Sequence, residues 1–191
     1  MGSSSSRMDH IPNAEQLMQE TGFSAAHILR LYARFEFLDK DERGELRPED
    51  FGALRGLAMN PIGDRIIGAF FSRGKETVDF PSFVRVLANF RPTETNTIRD
   101  GGQSFSRTRK LKFAFKLYDQ DRDGKISREE LLQVLRSMLE QQVTEEQLQS
   151  IAERAIQEAD LDQDDAISFE EFKKSLERVN IDEKMSSHFL R

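Results

Sequence analysis

Residues 119–130 read DQDRDGKISREE, with carboxylates at the first, third, fifth and twelfth positions and glycine at the sixth. The carboxylates belong to Asp119, Asp121, Asp123 and Glu130. A Ca²⁺ ion takes roughly six to eight oxygen ligands, and this spacing supplies them from one short loop, with the backbone carbonyl of Lys125 at position seven. Gly124 permits the sharp bend because glycine tolerates a positive φ. The stretch therefore predicts a Ca²⁺-binding loop.

A second stretch of this type, DLDQDDAISFEE, occupies residues 160–171. Its predicted ligands are the side chains of Asp160, Asp162, Asp164 and Glu171 and the backbone carbonyl of Ala166. Position six is Asp165, and a left-handed backbone costs a non-glycine residue about 1–2 kcal/mol, although Asp tolerates it better than most. The C-terminal half is thus predicted to hold two Ca²⁺ ions. We expect the loops to pair through an antiparallel contact between Ile126 and Ile167.

Apolar residues flank both loops at the three-and-four spacing of amphipathic helices. Around the first loop they are Leu111, Ala114, Phe115, Tyr118, Leu131, Val134, Leu135 and Met138. Around the second they are Ala152, Ala155, Ile156, Ala159, Phe172, Leu176 and Val179. Thr144 and Gln147 predict a capping box at the start of the helix between the loops. Residues 109–180 are therefore predicted to form two helix–loop–helix units.

Residues 39–50, DKDERGELRPED, keep Asp39, Asp41, Gly44 and Leu46 at positions one, three, six and eight, but depart from the pattern at positions five and twelve. Position five is Arg43, and a positive charge about 4 Å from a divalent ion costs several kcal/mol at an effective dielectric near 20. Position twelve is Asp50, which is one methylene shorter than the glutamate that closes such a loop on both oxygens. We predict that this loop holds no metal.

A fourth copy of the helix–loop–helix unit keeps only the apolar residues of the pattern. Val78, Phe80 and Phe83 fit positions eight, ten and thirteen, which places Phe71 at position one and leaves no ligand at the later ligand positions. Four related units predict an all-α fold of two EF-hand-like lobes, that is, four helix–loop–helix units with short paired β contacts between loops.

The chain is predicted to divide into five segments. They are an N-terminal segment at 1–20, an N-terminal lobe at 21–91, a flexible linker at 92–108, a C-terminal lobe at 109–180 and a tail at 181–191. The linker assignment depends on Pro92, Gly101, Gly102 and a high content of Ser and Thr. The tail is expected to be either a short helix lying in a groove of the protein or a frayed end.

The composition of the chain limits the classes of function that it can have. The 191 residues include no cysteine, which excludes disulfides and thiol catalysis, and no apolar stretch is long enough to span a membrane. The net charge of −6 is concentrated in residues 113–191, with 11 basic and 19 acidic residues, and this argues against a nucleic-acid partner. Three scattered histidines and the absence of a glycine-rich phosphate loop predict a protein that is not an enzyme.

Most of the fifteen phenylalanines fall where such lobes build their cores, but lobes this small cannot close over all of their apolar surface. This favours a hydrophobic groove for an amphipathic partner helix over a fully buried core. The start of the chain, MGSSSSR, fits the N-myristoylation pattern at Gly2, although a serine run after Met-Gly is also typical of an expression tag.

The chain resembles the calcineurin B homologous proteins, an EF-hand family of subunits of plasma-membrane sodium/proton exchangers. The resemblance covers nearly the whole length, through ETGFS at 20–24, NPIGDRII at 60–67, VDFPSFVRVLANFRP at 78–92, LYDQDRDGKISREELLQVLR at 117–136 and KMSSHFLR at 184–191. It implies Ca²⁺ at the third and fourth loops, myristoylation of Gly2, and a groove that binds the juxtamembrane helix of the exchanger and supports its activity and pH regulation.

The same resemblance implies a cytoplasmic protein that lies peripherally at the plasma membrane. Nuclear shuttling would follow from export signals like Leu131–Leu139 and Leu176–Met185. The alternative is a soluble Ca²⁺ sensor that regulates, by inhibition, a calcineurin-type phosphatase through its catalytic subunit.

Overall fold

The computed structural model describes residues 8–90, 102–139 and 142–177. The chain divides into two compact units, Met1–Asn89 and Phe90–Arg191. Gly2 and the tail at 181–191 lie outside the described residues, as does most of the second export-like stretch. Within the described parts of the chain, no helix is long and apolar enough to cross a bilayer.

The first unit is mainly helical, with one pair of very short strands. Its elements are α1 Ala14–Thr21, α2 Ala25–Leu38, β1 Glu45–Leu46, a 3₁₀ helix Pro48–Ala53, α3 Arg55–Ala58, α4 Gly63–Gly68, β2 Val78–Asp79 and α5 Phe80–Ala88. The strands are antiparallel and place Leu46 opposite Val78. Since both residues were assigned to position eight of their loops, this pairing confirms the register predicted for the fourth copy.

The second unit repeats this plan. Its elements are α6 Gly102–Tyr118, β3 Lys125–Ser127, α7 Arg128–Leu139, α8 Glu145–Ala159, β4 Ala166–Ser168 and α9 Phe169–Ser175. Ile126 lies opposite Ile167, as predicted. The capping box at the start of α8 is also present, because the Thr144 hydroxyl accepts the N–H of Gln147 and the Gln147 side chain accepts the N–H of Thr144. The all-α prediction with paired β contacts is confirmed.

The structure differs from the predicted segment boundaries at two places. Helix α6 begins at Gly102, so residues 102–108 are helical and not part of a linker. No proline interrupts this stretch, and residues such as Arg107 favour helix. Helix α1 begins inside the predicted N-terminal segment and runs past its end to Thr21. Ile11 and Leu17 of this segment are buried, and Glu20 pairs with Arg85 of α5 at 2.8 Å. The segment is therefore partly integral to the first unit.

Aromatic rings form much of the core of the first unit. Phe51 contacts Phe70 with ring centroids 5.0 Å apart, and Phe35 contacts Phe83 at 5.5 Å. Burying one such side chain contributes about 1.5–3 kcal/mol. Across the two units, the buried phenylalanines include Phe35, Phe51, Phe70, Phe71, Phe80, Phe83, Phe113 and Phe115.

The core of the second unit lies directly beneath the two paired loops. Ile126 and Ile167, which face each other across the strands, belong to one buried cluster with Phe115 of α6, Leu132 of α7 and Ile156 of α8. Because three helices and both strands contribute buried members to this cluster, the packing fixes how the loops enter and leave their helices. The first export-like stretch faces inward here, since Leu131, Leu132 and Val134 are buried.

Candidate metal centres

Both loops of the second unit follow the same backbone course. Positions four and six adopt left-handed conformations, at Arg122 (φ 58°) and Gly124 (φ 91°) in the first of them. In the other, Gln163 (φ 61°) and Asp165 (φ 64°) occupy the same positions. Asp165 thus takes the conformation that its position predicts, although glycine would take it with less strain.

The first carboxylate of each loop holds this turn closed. Asp119 accepts the backbone N–H groups of Asp123 and Gly124, both at 3.1 Å. In the other loop, Asp160 accepts the backbone N–H of Asp165 at 2.9 Å, along with those of the two preceding residues. Through these bonds the backbone of each loop wraps around the carboxylate at position one, which is a predicted ligand.

The glutamate at position twelve closes the far side of each loop. Glu130 lies in the first turn of α7, where the helix dipole favours a negative charge. One of its oxygens accepts the N–H of Gln120 at 2.8 Å, and the other accepts the N–H of Ser127 at 2.9 Å. Glu171 makes the equivalent bonds from the first turn of α9. Each glutamate therefore links the start of its loop to the helix that follows.

The structure brings most, but not all, of the predicted ligands together. Oxygens of Asp119, Asp121 and Glu130 lie within 4.8 Å of one another, and so do oxygens of Asp160, Asp162 and Asp164. These clusters include neither Asp123 nor Glu171. Lys125 and Ala166, whose backbone carbonyls were predicted as ligands, are the first residues of β3 and β4.

The electrostatics of the clusters suit a divalent cation. Burial raises the pKa of Asp119, and the nearby negative charges of Glu130 and Asp123 raise it further. Burial and the carboxylate of Asp164 likewise raise the pKa of Asp162. Carboxylates that oppose one another's ionisation are stabilised by a bound positive charge. Hard oxygen donors at this spacing fit Ca²⁺ better than a soft metal.

Glu171 is held in its charged form even without a metal. Hydrogen bonds from the backbone and hydroxyl of Ser168, and from the backbone of Leu161 and Asp162, lower the pKa of Glu171 to about 2, against the opposing effect of burial. A carboxylate that accepts several N–H bonds is stabilised as the anion. This residue is therefore preorganised to meet a cation.

The pKa of Glu171 predicts a pH dependence of stability in Ca²⁺-stripped protein. Because the folded-state pKa lies below the unfolded value, the contribution of Glu171 is complete above pH 4.5 and is lost as the pH falls toward 2. We expect the free energy of unfolding of wild type, relative to Glu171→Gln, to be larger at pH 6 than at pH 3.5. Urea unfolding at the two pH values measures this, and a constant difference would contradict it.

An ion pair joins the two loops of the second unit. The ammonium group of Lys125, at position seven of one loop, contacts the carboxylate of Asp164, at position five of the other. The hydrogen bond from Lys125 lowers the pKa of Asp164. Sequence reasoning assigned Lys125 only through its backbone carbonyl and missed this contact, because a side-chain pair across two loops depends on how their strands pair.

The loops of the first unit lack such clusters. Both of the carboxylate clusters found among the described residues lie in the second unit. In the 39–50 loop, the guanidinium of Arg43 contacts Asp41 and lies 2.8 Å from Asp50. In the fourth copy, Phe71 is buried at the position of the first ligand.

Asp39→Ala separates folding from metal binding in the first unit. Asp39 is 6% exposed and accepts the N–H groups of Arg43 at 3.0 Å and Gly44 at 2.6 Å. Removing a buried acceptor costs about 1–3 kcal/mol. We expect the substitution to lower the free energy of unfolding by that amount and to leave the Ca²⁺ stoichiometry unchanged. Chemical denaturation and calorimetric titration measure the two quantities, and one lost ion would refute the assignment.

Paired helix–loop–helix units with acidic loops define a protein of the EF-hand class, and residues 108–177 match the EF-hand domain pair family. Over most of its length the chain is also similar to proteins named as calcineurin B, a subunit of calcineurin. It is 40% identical to that of Naegleria gruberi over 90% of this chain and 91% of the relative. It is 37% identical to that of Candida glabrata (92% and 94%) and 39% identical to that of Yarrowia lipolytica (93% and 96%).

The chain belongs to the calcineurin B family of EF-hand proteins. Members of this family are non-catalytic regulatory proteins that bind Ca²⁺, so the prediction that the chain is not an enzyme is confirmed. The names of the relatives favour our alternative, a calcineurin-type partner, over the sodium/proton exchanger that we placed first.

Proposed function

We propose that this chain is the Ca²⁺-binding regulatory subunit of a calcineurin-type phosphatase. In this proposal the second unit holds two Ca²⁺ ions, and the protein binds the catalytic subunit of the enzyme. The observation that carries the proposal is the similarity to calcineurin B over at least 90% of the chain and of each relative.

The loops support the assignment of the ions. Each loop of the second unit combines a carboxylate cluster with a glutamate already held at the start of the following helix. The two loops of the first unit offer a guanidinium and a buried phenylalanine in place of such clusters. This contrast supports a count of two ions, with the first unit contributing to the protein as a scaffold.

Exposed apolar side chains on the first unit are consistent with a binding role. Phe37, on α2, is 65% exposed, and Met59, between α3 and α4, is 84% exposed. Both side chains are therefore available for contact with another protein. The sequence-based prediction of a groove for an amphipathic helix stays a prediction.

The partner is tested by direct binding. The full-length chain, saturated with Ca²⁺, is titrated into a calcineurin catalytic subunit and, separately, into a peptide with the sequence of an exchanger juxtamembrane helix. We expect a one-to-one complex with the catalytic subunit and a rise in its phosphatase activity. Binding to the exchanger peptide alone would overturn the proposal and restore our first prediction.

A second titration distinguishes a structural ion from a regulatory one. The same complex is formed with Ca²⁺ removed by a chelator and with Ca²⁺ in excess. A regulatory subunit that senses Ca²⁺ binds or activates the catalytic subunit more strongly when the ion is present. The Phe37→Ser variant serves as a surface control, because it changes an exposed apolar side chain without touching the loops, and we expect it to weaken binding at both Ca²⁺ levels.

A further inference from the structure

The 39–50 loop keeps the internal bonding of a metal-binding loop although its fifth position carries the wrong charge for one. Asp39 accepts the N–H groups of positions five and six, as Asp119 does in the second unit. Asp50 accepts the N–H of Arg47 at 2.7 Å, which matches the bond from Ser127 to Glu130. The backbone is left-handed at position four, Glu42, and at position six, Gly44. The loop thus keeps the turn around its first carboxylate and the bond between its ninth and twelfth positions.

The side chain of Arg43 lies between the carboxylates at the third and twelfth positions of that loop. One terminal nitrogen of its guanidinium contacts Asp41 at position three, and the other lies 2.8 Å from Asp50 at position twelve. The side chains of Arg43 and Asp50 are only 26% and 17% exposed. A planar guanidinium suits this geometry because it presents separate donors to separate oxygens.

We propose that, in this loop, the guanidinium of Arg43 performs the structural role that a Ca²⁺ ion performs in a metal-binding loop. It neutralises carboxylates that would otherwise repel one another and ties the early part of the loop to the 3₁₀ helix that follows. The strand contact between Leu46 and Val78 is then held at any Ca²⁺ concentration. The first unit is therefore built to stay closed while the second responds to the ion.

An isolated ion pair on a protein surface contributes little to stability. Arg43 differs from that case because one cation bridges two carboxylates of a loop of fixed shape, and because the side chain of Asp50 is largely buried. Among the residues that the structure describes, the 39–50 loop of the first unit contains its own cation, Arg43. The second unit instead has two carboxylate clusters that could hold a metal ion.

Amide hydrogen exchange of the full-length chain tests the proposal. In Ca²⁺-stripped protein we expect Arg43→Gln to speed exchange at Gly44 and Leu46 by at least about tenfold, which corresponds to about 1.4 kcal/mol. Lys40→Gln is the matched control, because it removes the same charge from an exposed residue of the same loop, and we expect less than about a twofold change. Equal effects of the two substitutions would overturn the proposal.

A converted loop provides the second arm. Arg43→Asp with Asp50→Glu restores a carboxylate at position five and the longer glutamate at position twelve. We expect this variant to exchange rapidly at Gly44 without Ca²⁺ and to regain wild-type protection when Ca²⁺ is added, whereas wild type is equally protected in both conditions. Protection of the double variant without Ca²⁺, or Ca²⁺-dependent protection of the wild-type loop, would each overturn the proposal. Ile167 in the second unit reports whether the rest of the chain is folded.

Discussion

Glu130→Gln is expected to abolish Ca²⁺ binding at its loop and leave the other loop functional. The substitution keeps the size of the side chain but removes its negative charge and replaces one of the two oxygens that coordinate the ion. We expect the affinity of that loop to fall at least about 100-fold, which is about 2.7 kcal/mol. Isothermal titration calorimetry should then count one ion per chain in place of two.

The equivalent substitution in the other loop and two charge controls show whether the effect is specific to the ligand position. Glu171→Gln should remove the other ion, and the two substitutions together should leave none. Glu129→Gln and Glu170→Gln remove the same charge from exposed neighbours, and we expect each of these chains to bind two ions. Two filled sites in the double variant would show that our ligand assignment is incorrect.

Gly63→Ala is expected to destabilise the first unit strongly. Gly63 is buried at the start of α4, and a Cβ atom there would lie 2.0 Å from the backbone oxygen of Leu57. Because that oxygen also accepts the N–H of Asn60 at 3.0 Å, the turn cannot move away without losing a bond. Overpacking of this kind costs about 1–3 kcal/mol, and we expect the upper end. Chemical denaturation measures the loss.

Gly68→Ala is the matched control for this substitution. Gly68 lies at the end of the same helix, and a Cβ atom there would meet nothing within 4 Å. Alanine is favoured over glycine in a helix by up to about 1 kcal/mol, so this variant should be as stable as wild type or more stable. If both variants unfold at the same denaturant concentration, the close contact at Leu57 has no energetic importance.

The loops could be predicted from sequence because each of their positions requires a particular kind of residue. Aspartates at alternate positions, a glutamate at the twelfth and a β-branched residue at the eighth fix the register of the whole unit. The same register, applied to a fourth copy with no ligands, correctly placed Val78 at position eight, opposite Leu46. Apolar periodicity was sufficient there because both side chains are buried where the strands pair.

Other features depend on contacts between residues that no local pattern relates. Arg43 was interpreted only as a charge that repels a metal, whereas the structure shows it bridging Asp41 and Asp50. The contact of Lys125 with Asp164 joins two loops, and the close approach of Gly63 to Leu57 joins a helix to the one before it.

The linker boundary was wrong for a different reason. Serine and threonine content suggested a linker as far as residue 108, but α6 begins at Gly102. A helix that continues into a packed segment adds one backbone hydrogen bond for each residue that it fixes, and this cooperativity outweighs weak local preferences.

The preference for an exchanger partner came from the resemblance to the calcineurin B homologous proteins over nearly the whole chain. The relatives named as calcineurin B favour the other partner, a calcineurin-type phosphatase.

The number of Ca²⁺ ions bound by the full-length wild-type chain tests the central claim most directly. Equilibrium dialysis against labelled Ca²⁺, at concentrations well above saturation, should give two ions per chain. A value of zero would mean that the acidic clusters of the second unit do not hold the metal, and a value of four would mean that the first unit binds it despite Arg43 and Phe71.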